Sequence, residues 1–323
     1  MGYMAVMQVL VYGGGAVGLG IASCLLARKV GVDIIARADT AAALNAEGVV
    51  RTGLFGDSGA AAGTFGSYTS LEDCRGQAYD YVLVCTKSFD SAGAAQDLAR
   101  HQDKIGDKAK LVLFQNGWGN AEVFCQYFES QRVYNARVIT GFHRHRPNEV
   151  EITVHADAIH IGSLFSEDLA PIEPLCRAIR AGGIPCETTA EIEKDLWAKM
   201  LYNCALNPLG AVLRVPYGVL AAQTSTRQLM DHVAAEVFAV MEATGHHTHW
   251  RTCRDFLDVF YTRLVPDTAE HESSMLQDIT AGKRTEIDAL NGAVVRLAHE
   301  RGVGVPYNCA VCNLVQFIED RQA

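Results

Sequence analysis

Apolar residues follow two different patterns along the chain, and the pattern changes near residue 187. In the first part, continuous apolar runs alternate with segments of helical spacing. The apolar runs predict strands at residues 7–12, 32–36, 79–85, 110–114, 133–139, 150–154 and 158–161. The segments between them predict helices at residues 16–29, 39–47 and 90–104. Strands that alternate with helices are typical of a parallel sheet built from βαβ units.

From Thr188 onwards the strand pattern gives way to helical periodicity. One example is the i, i+3, i+4, i+7 spacing of Trp197, Met200, Leu201 and Cys204. Further helices are predicted at residues 222–245, 250–263, 268–281, 285–302 and 306–320. The sequence therefore predicts an α/β domain over residues 1–187, followed by an all-helical domain over residues 188–323.

Composition limits the classes of function. The 323 residues are 49% hydrophobic and 20% charged, which is typical of packed globular domains and excludes wholesale disorder. With 28 basic and 37 acidic residues the net charge is −9, so nucleic acid is not an expected partner. Residues 1–27 carry no charged side chain, but no basic residue precedes their apolar part, which is interrupted by Gly13, Gly14, Gly15, Gly18 and Gly20. We expect a cytoplasmic protein with no membrane segment.

The cysteines and histidines do not form a recognisable site. The ten cysteines are dispersed in apolar surroundings and are expected to be reduced core thiols. Cys309 and Cys312 form a lone CxxC, which we interpret as two helical positions three apart. No histidine lies in a metal-binding motif, so no metal is expected.

A glycine-rich turn joins the first predicted strand to the first predicted helix, and it matches G-x-G-x-x-G. Its residues are Gly13, Gly14, Gly15, Ala16, Val17 and Gly18. In this context Gly13 would permit the tight turn, Gly15 the approach of a pyrophosphate, and Gly18 close packing of the helix on the sheet. The anion would lie among the free N–H groups of the helix N-terminus.

The end of the second predicted strand bears on the choice of nucleotide. An acidic residue there would bind the ribose 2′-hydroxyl of NAD, whereas this chain has Arg37 at that position. A guanidinium suits a 2′-phosphate, which favours NADP(H). Asp39 lies close enough to leave NAD open.

Three further groups of polar residues are candidates for a site. Lys87 and Asn116 follow predicted strands, where parallel sheets place their ligands, although Asn116-Gly117 is also a common turn. Lys199, Asn203 and Asn207 share one helical face, which either a substrate or neighbouring helices could satisfy. Asn207 precedes Pro208, so a bend or helix end is expected there.

The third group lies near the C-terminal end. Ser274 and Glu286 lie in or beside separate helices, and their polar neighbours Ser273 and Thr285 are also good helix N-caps. Spacing alone does not bring this group to Lys199.

Taken together, these residues resemble the ketopantoate reductase family over nearly the whole chain. The match includes the glycine motif, Lys87 and residues 115–117, 196–209, 273–278 and 285–288. The lysine-asparagine helix within 196–209 and the Ser-Ser-Met-Leu-Gln-Asp motif at 273–278 are together specific to that family. The resemblance implies an N-terminal Rossmann-type dinucleotide-binding domain and a helical domain for substrate binding and dimerisation, with an active-site cleft between them. It implies NADPH-dependent reduction of a 2-oxo acid to a 2-hydroxy acid, with 2-dehydropantoate as the expected small-molecule substrate, in pantothenate biosynthesis. A homodimer is left open.

The resemblance also implies roles for single residues. Lys199 corresponds to the general acid, and Asn116 to the asparagine that contacts both substrate and cofactor. Asn203 and Asn207 correspond to the groups that hold the hydroxyl end of the substrate, and Ser274 to the contact with its carboxylate.

On the cofactor side, Glu286 corresponds to the acidic residue near the ribose and the catalytic lysine, and is expected to be catalytic. Lys87 corresponds to the lysine at the cleft edge, and Arg37 to the residue that reads the 2′-phosphate. Residues 216–220 lack the acidic residue that some members carry there. Two alternatives stay open: a reductase of another branched 2-oxo acid, and a non-catalytic NADP-binding regulator.

Overall fold

The computed structural model describes residues 7–76, 78–166 and 168–322, so the first six residues of the predicted N-terminal domain lie outside the described part. The chain divides into two compact units. Unit 1 comprises the described residues up to Gln115 together with Asn120–Ile192, and unit 2 comprises Asn116–Gly119 and the described residues from Glu193 onwards. The short segment Asn116–Gly119 therefore groups with the C-terminal helices, although its neighbours in sequence belong to unit 1.

Twelve strands are found in the described part of unit 1. They are β1 (Gln8–Tyr12), β2 (Gly31–Ile35), β3 (Val49–Gly53), β4 (Ser58–Ala60), β5 (Gly66–Tyr68), β6 (Tyr81–Val84), β7 (Lys110–Leu113), β8 (Val133–Arg137), β9 (Thr140–Arg146), β10 (Glu149–His155), β11 (Ile159–Gly162) and β12 (Cys186–Thr188). The α-helices are α1 (Ala16–Ala27), α2 (Ala38–Glu47), α3 (Ser91–Arg100), α4 (Gln102–Ile105), α5 (Asn120–Phe124) and α6 (Glu173–Ala181).

Eight of these strands form one sheet in the order β12-β11-β8-β7-β6-β1-β2-β5. All neighbouring pairs that include β1, β2, β6 or β7 are parallel. Helices cover both faces, so the central strands are buried on both sides, as parallel strands require. Val9 and Val11 pack in the core of one face and Leu10 in the core of the other, all with 0% exposure.

The second sheet of unit 1 corrects the prediction of a single parallel arrangement. Strands β4-β3-β10-β9 form a separate four-stranded sheet, in which β9 and β10 are an antiparallel hairpin. Strand β11 pairs antiparallel with β8 in the main sheet. Short apolar runs such as residues 150–154 reveal a strand but not its partner, because pairing is decided by distant backbone groups. The pattern also missed β3, β4, β5, β9 and β12.

Unit 2 is helical in its described part, which confirms the fold class: a Rossmann-type α/β part followed by an all-helical part. Its α-helices are α7 (Ile192–Leu213, whose first residue belongs to unit 1), α8 (Tyr217–Ala222), α9 (Thr224–Thr244), α10 (Cys253–Val259), α11 (Ser274–Thr280), α12 (Asn291–Arg301) and α13 (Pro306–Asp320). A π-helical turn, Phe260–Leu264, continues α10, and short 3₁₀ turns lie at Pro266–Thr268 and Ile287–Ala289. Among the described residues, no helix has the length and apolarity that crossing a bilayer requires.

Helix α7 does not end at Asn207, because it runs through Pro208 to Leu213. A proline lacks the N–H that would bond the carbonyl four residues earlier. That carbonyl belongs to Cys204, and Nδ2 of the fully buried Asn291 donates to it at 3.1 Å. A side chain from another helix therefore satisfies the acceptor that the proline leaves without its helical partner.

The structure shows where α11 begins and where the CxxC pair lies. Ser273 is the N-cap of α11, since its hydroxyl accepts from the backbone N–H of Leu276 at 3.0 Å. The helix therefore begins six residues later than the periodicity predicts. Cys309 and Cys312 are two positions of α13, as expected, and all ten cysteines are free thiols.

Candidate functional site

The glycine turn of unit 1 has the geometry of an anion-binding loop. Gly13 has φ +117°, and a Cβ there would lie 2.8 Å from backbone atoms of Cys85 and Thr86, so only glycine fits. A Cβ on Gly18 would lie 2.0 Å from the Gly13 carbonyl oxygen. A Cβ on Gly15 would lie 4.0 Å from its nearest neighbour, the Cys85 carbonyl oxygen, so the backbone of Gly15 is accessible.

The helix that follows this turn begins without a side-chain cap. Gly15 is the N-cap residue of α1, and a glycine provides no oxygen to accept from the first N–H groups of the helix. Free N–H groups and the helix dipole favour a bound anion. The turn therefore fits the diphosphate of a dinucleotide on steric and on electrostatic grounds.

Arg37 lies directly after β2, at the N-cap position of α2, and is exposed. Within the described residues its guanidinium has no hydrogen-bond or ion-pair partner. Asp39 lies in the first turn of α2 and is also exposed. Both side chains that bear on the choice of nucleotide are thus open to a ligand.

At the ends of β6 and β7 the buried Gln115 organises the backbone around Lys87. Its Nε2 lies 2.9 Å from Oγ of Ser91, 3.2 Å from Oγ1 of Thr86 and 3.3 Å from the carbonyl oxygen of Lys87, so its two hydrogens are shared among these three acceptors. Lys87 itself is half-buried and precedes a 3₁₀ turn. No separate role was predicted for Gln115, although a polar residue at the end of a buried strand is a signal for one.

In unit 2 three of the candidate residues form a chain of hydrogen bonds. Nζ of Lys199 on α7 donates to Oδ1 of Asn116 at 2.7 Å. Nδ2 of Asn116 donates in turn to Oε2 of Glu286 at 2.9 Å. Glu286 is only 6% exposed and immediately precedes the 3₁₀ turn Ile287–Ala289. A buried carboxylate and an ammonium group are thus joined through one neutral amide.

The two other asparagines of the α7 face differ in their partners. Oδ1 of Asn207 accepts from the hydroxyl of Tyr217 at 2.7 Å. Burial raises the pKa of Tyr217, so the phenol stays protonated and remains a donor. Asn203 is 8% exposed, and no hydrogen bond of its side chain is found within the described part of the chain. A nearly buried amide without a partner is unfavourable unless a ligand provides one.

Ser274 is the first residue of α11 and is exposed. The preceding Ser273 is fully buried, and its Oγ lies 3.4 Å from the carbonyl oxygen of Asn207. This contact brings the start of α11 beside the polar face of α7. Ser274 therefore follows directly on a residue that contacts the backbone of Asn207, and no hydrogen bond between the side chains of Ser274 and Asn207 is found within the described residues.

Two features of unit 2 could not be read from the sequence. The rings of Trp118, Trp197 and His246 form one cluster, in which Trp118 lies 4.9 Å from Trp197 and 4.7 Å from His246, and Trp197 and His246 are stacked at 5.2 Å between centroids. Nδ1 of His246 also lies 2.8 Å from Oε1 of Glu193, so a hydrogen bond from the imidazole to the carboxylate joins two residues that are far apart in sequence. A tryptophan flanked by glycines in a loop does indicate a buried side chain, but the sequence does not show which side chains pack against it.

Comparisons with known proteins show which family the chain belongs to. The chain matches the family model described as ketopantoate reductase PanE/ApbA over residues 9–165, and its C-terminal counterpart over residues 191–319. A 2-dehydropantoate 2-reductase of Aquifex aeolicus is 37% identical over 238 residues, which are 73% of this chain and 76% of that protein.

Solved structures show the same fold. A ketopantoate reductase of the PanE/ApbA family from Ralstonia eutropha superposes with a TM-score of 0.84 at 30% identity, over 98% of this chain and 99% of that one. A D-mandelate dehydrogenase, solved with NADH and anilino(oxo)acetate, has a TM-score of 0.86 at 20% identity and covers 98% of this chain and 99% of its own. The second likeness concerns the fold alone. By its family models and its relatives, the chain is an oxidoreductase that belongs to the ketopantoate reductase family.

Proposed function

We propose that this protein reduces 2-dehydropantoate to pantoate with NADPH, and that Lys199 is the general acid. The observation that carries the proposal is the hydrogen-bonded chain from Lys199 through Asn116 to Glu286. It places a cationic donor among neutral and acidic groups on residues that the family resemblance marks as functional. Family membership favours this enzyme over a non-catalytic dinucleotide-binding regulator.

The chemistry requires a proton donor beside the keto oxygen. The glycine turn and Arg37 would hold the dinucleotide, whose nicotinamide would provide the hydride for the carbonyl carbon. The oxygen then gains negative charge, which the ammonium group of Lys199 stabilises before it transfers its proton. Asn116 holds Nζ by accepting its hydrogen bond, and it donates to Glu286 at the same time. The amide therefore orients the ammonium group of Lys199 and links it to the carboxylate of Glu286.

We assign dinucleotide binding to unit 1. The glycine turn accommodates a diphosphate because Gly15 is open and α1 has no side-chain cap. Arg37 would bind the ribose 2′-phosphate through its exposed guanidinium. Lys87 would contribute positive charge near the cofactor. These features support NADPH over NADH.

We assign the oxo acid to the polar face of α7. Its hydroxyl end would bind the side chains of Asn203 and Asn207, of which the second is already oriented by Tyr217. Its carboxylate would accept from Ser274, which is exposed at the start of α11. The relatives that this chain resembles are 2-dehydropantoate 2-reductases, which supports this substrate among branched 2-oxo acids.

A matched pair of substrates tests this assignment. 3,3-Dimethyl-2-oxobutanoate is 2-dehydropantoate without its hydroxyl group. We expect NADPH oxidation to show kcat/KM lower by at least about 10² for this analogue, because polar groups built to bind a hydroxyl are then left unpaired. Equal kcat/KM values would reject 2-dehydropantoate as the substrate and favour another branched 2-oxo acid. No turnover of either compound, or of a wider panel of 2-oxo acids, would reject the reaction itself.

A further inference from the structure

Strand β9 of the second sheet is packed onto the dinucleotide-binding turn. The ring of Phe142 occupies the space beside Gly20 of α1, where a Cβ would come within 2.3 Å of the ring. Two residues further along β9, Nη1 of Arg144 donates to the carbonyl oxygen of Gly14 at 3.2 Å. A guanidinium from a separate sheet is thereby fixed at the middle of the glycine motif.

The same guanidinium also lies beside Asp39. Its Nη2 is 3.9 Å from Oδ2 of Asp39, in the first turn of α2 and two residues beyond Arg37. The Asp39 side chain is 64% exposed and that of Arg144 is 32% exposed, so water screens this ion pair and it contributes little to stability. The ion pair matters because it changes the net charge of the side chains at the end of β2.

An unpaired carboxylate at this position would oppose NADPH. Acidic residues near the end of the second strand bind the ribose hydroxyls of NAD, and they repel a 2′-phosphate that carries about two negative charges. Arg37 and Asp39 by themselves have no net charge. With Arg144 the three side chains carry one net positive charge, so the site favours the phosphorylated ribose.

We propose that Arg144 is a second residue that determines the preference for NADPH, because it neutralises Asp39 and adds positive charge beside the ribose. This inference rests on the proposed NADPH dependence and extends it to a residue of the second sheet. Arg37 lies directly after β2, whereas Arg144 follows it by more than a hundred positions, so the sequence pattern around the motif does not reveal the second arginine.

The test measures binding without turnover, by isothermal titration calorimetry with NADPH and with NADH. Arg144→Gln keeps a donor for the Gly14 carbonyl but removes the charge. We expect it to weaken NADPH binding about tenfold, which is the effect of losing one charge-assisted contact, and to leave NADH binding within about twofold. The matched control is Arg146→Gln on the same strand, whose guanidinium pairs with Glu47 at the surface. It should change neither affinity.

A second variant separates the two effects of Arg144. In an Asp39→Asn background the carboxylate no longer needs neutralising, so Arg144→Gln should weaken NADPH binding less than in the wild type. Equal weakening of NADPH and NADH by Arg144→Gln, or no change in either, would overturn the proposal.

The experiment distinguishes a wrong role for Arg144 from a wrong assignment of the cofactor. If the wild type prefers NADPH and Arg37→Ala abolishes that preference while Arg144→Gln does not, only the role of Arg144 is wrong. If the wild type binds NADH more tightly than NADPH, both the proposed cofactor and the role of Arg144 are wrong.

Discussion

The indole rings of Trp118 and Trp197 pack with their centroids 4.9 Å apart. Trp118 follows Asn116 by two positions, and Trp197 precedes Lys199 by two. The backbone N–H of Trp118 also donates to the carbonyl of Ala289 at 2.9 Å, three residues after Glu286. Asn116, Lys199 and Glu286 therefore each lie two or three positions along the chain from Trp118 or from a residue that Trp118 contacts. Trp118 is 8% exposed and Trp197 is fully buried.

We predict that Trp118→Ala lowers kcat for the oxo acid by at least about tenfold, because it removes the packing that holds Asn116 against Lys199. Truncating a buried tryptophan also costs about 3–5 kcal/mol in the free energy of unfolding. Trp118→Phe keeps a ring in the pocket and should restore most of kcat. Steady-state kinetics on folded protein, checked by circular dichroism, measures both. A wild-type kcat in Trp118→Ala would show that Asn116 does not depend on this contact.

Lys199→Ala tests the proton donor directly. We expect kcat to fall by about 10² to 10⁴, the usual contribution of a general acid, while the Kd for NADPH stays within a few-fold. The exposed Lys108, in the loop before β7, provides a matched control, and Lys108→Ala should leave kcat unchanged. A kcat within a few-fold of the wild type in Lys199→Ala would remove Lys199 as the general acid.

The contact between Asn291 and the Cys204 carbonyl should be conditional on Pro208. Asn291→Ala leaves that buried carbonyl without its donor, which costs about 1–3 kcal/mol in the free energy of unfolding. In a Pro208→Ala background the restored N–H can bond the same carbonyl, so Asn291→Ala should cost about 1 kcal/mol less. Urea unfolding followed by tryptophan fluorescence measures this cycle, since all three tryptophans lie in unit 2. Equal costs in the two backgrounds would contradict the explanation.

His271 should make unit 2 sensitive to acid. Burial lowers the pKa of His271 below its ordinary value of 6.5, and the nearby Glu272 opposes this only in part. As the pH falls below about 6.5, the unfolded chain takes up a proton that the folded chain refuses, so stability present above that pH is lost. His271→Gln should reduce the loss in stability between pH 7.5 and 5.5, measured by tryptophan fluorescence. The exposed His247→Gln is the control, and an identical pH dependence in all three proteins would reject the prediction.

The sequence by itself determined the fold class and the candidate residues, because both depend on local patterns. Strand β1, the glycine turn and α1 follow one another within twenty residues, and each has a signature that short-range sterics enforce. The shared face of Lys199, Asn203 and Asn207 likewise follows from helical geometry alone. The family resemblance then gave these positions their expected roles.

Only the tertiary structure decided which side chains meet. Asn116 is 83 positions from Lys199 and 170 positions from Glu286 along the chain, and no periodicity links the three residues. The same holds for Arg144 at Gly14 and for Asn291 at Cys204, where one residue satisfies or neutralises a group in a distant element. The second sheet was missed for this reason too, since β9 pairs with β10, and β10 with β3, through backbone groups that carry no side-chain signal.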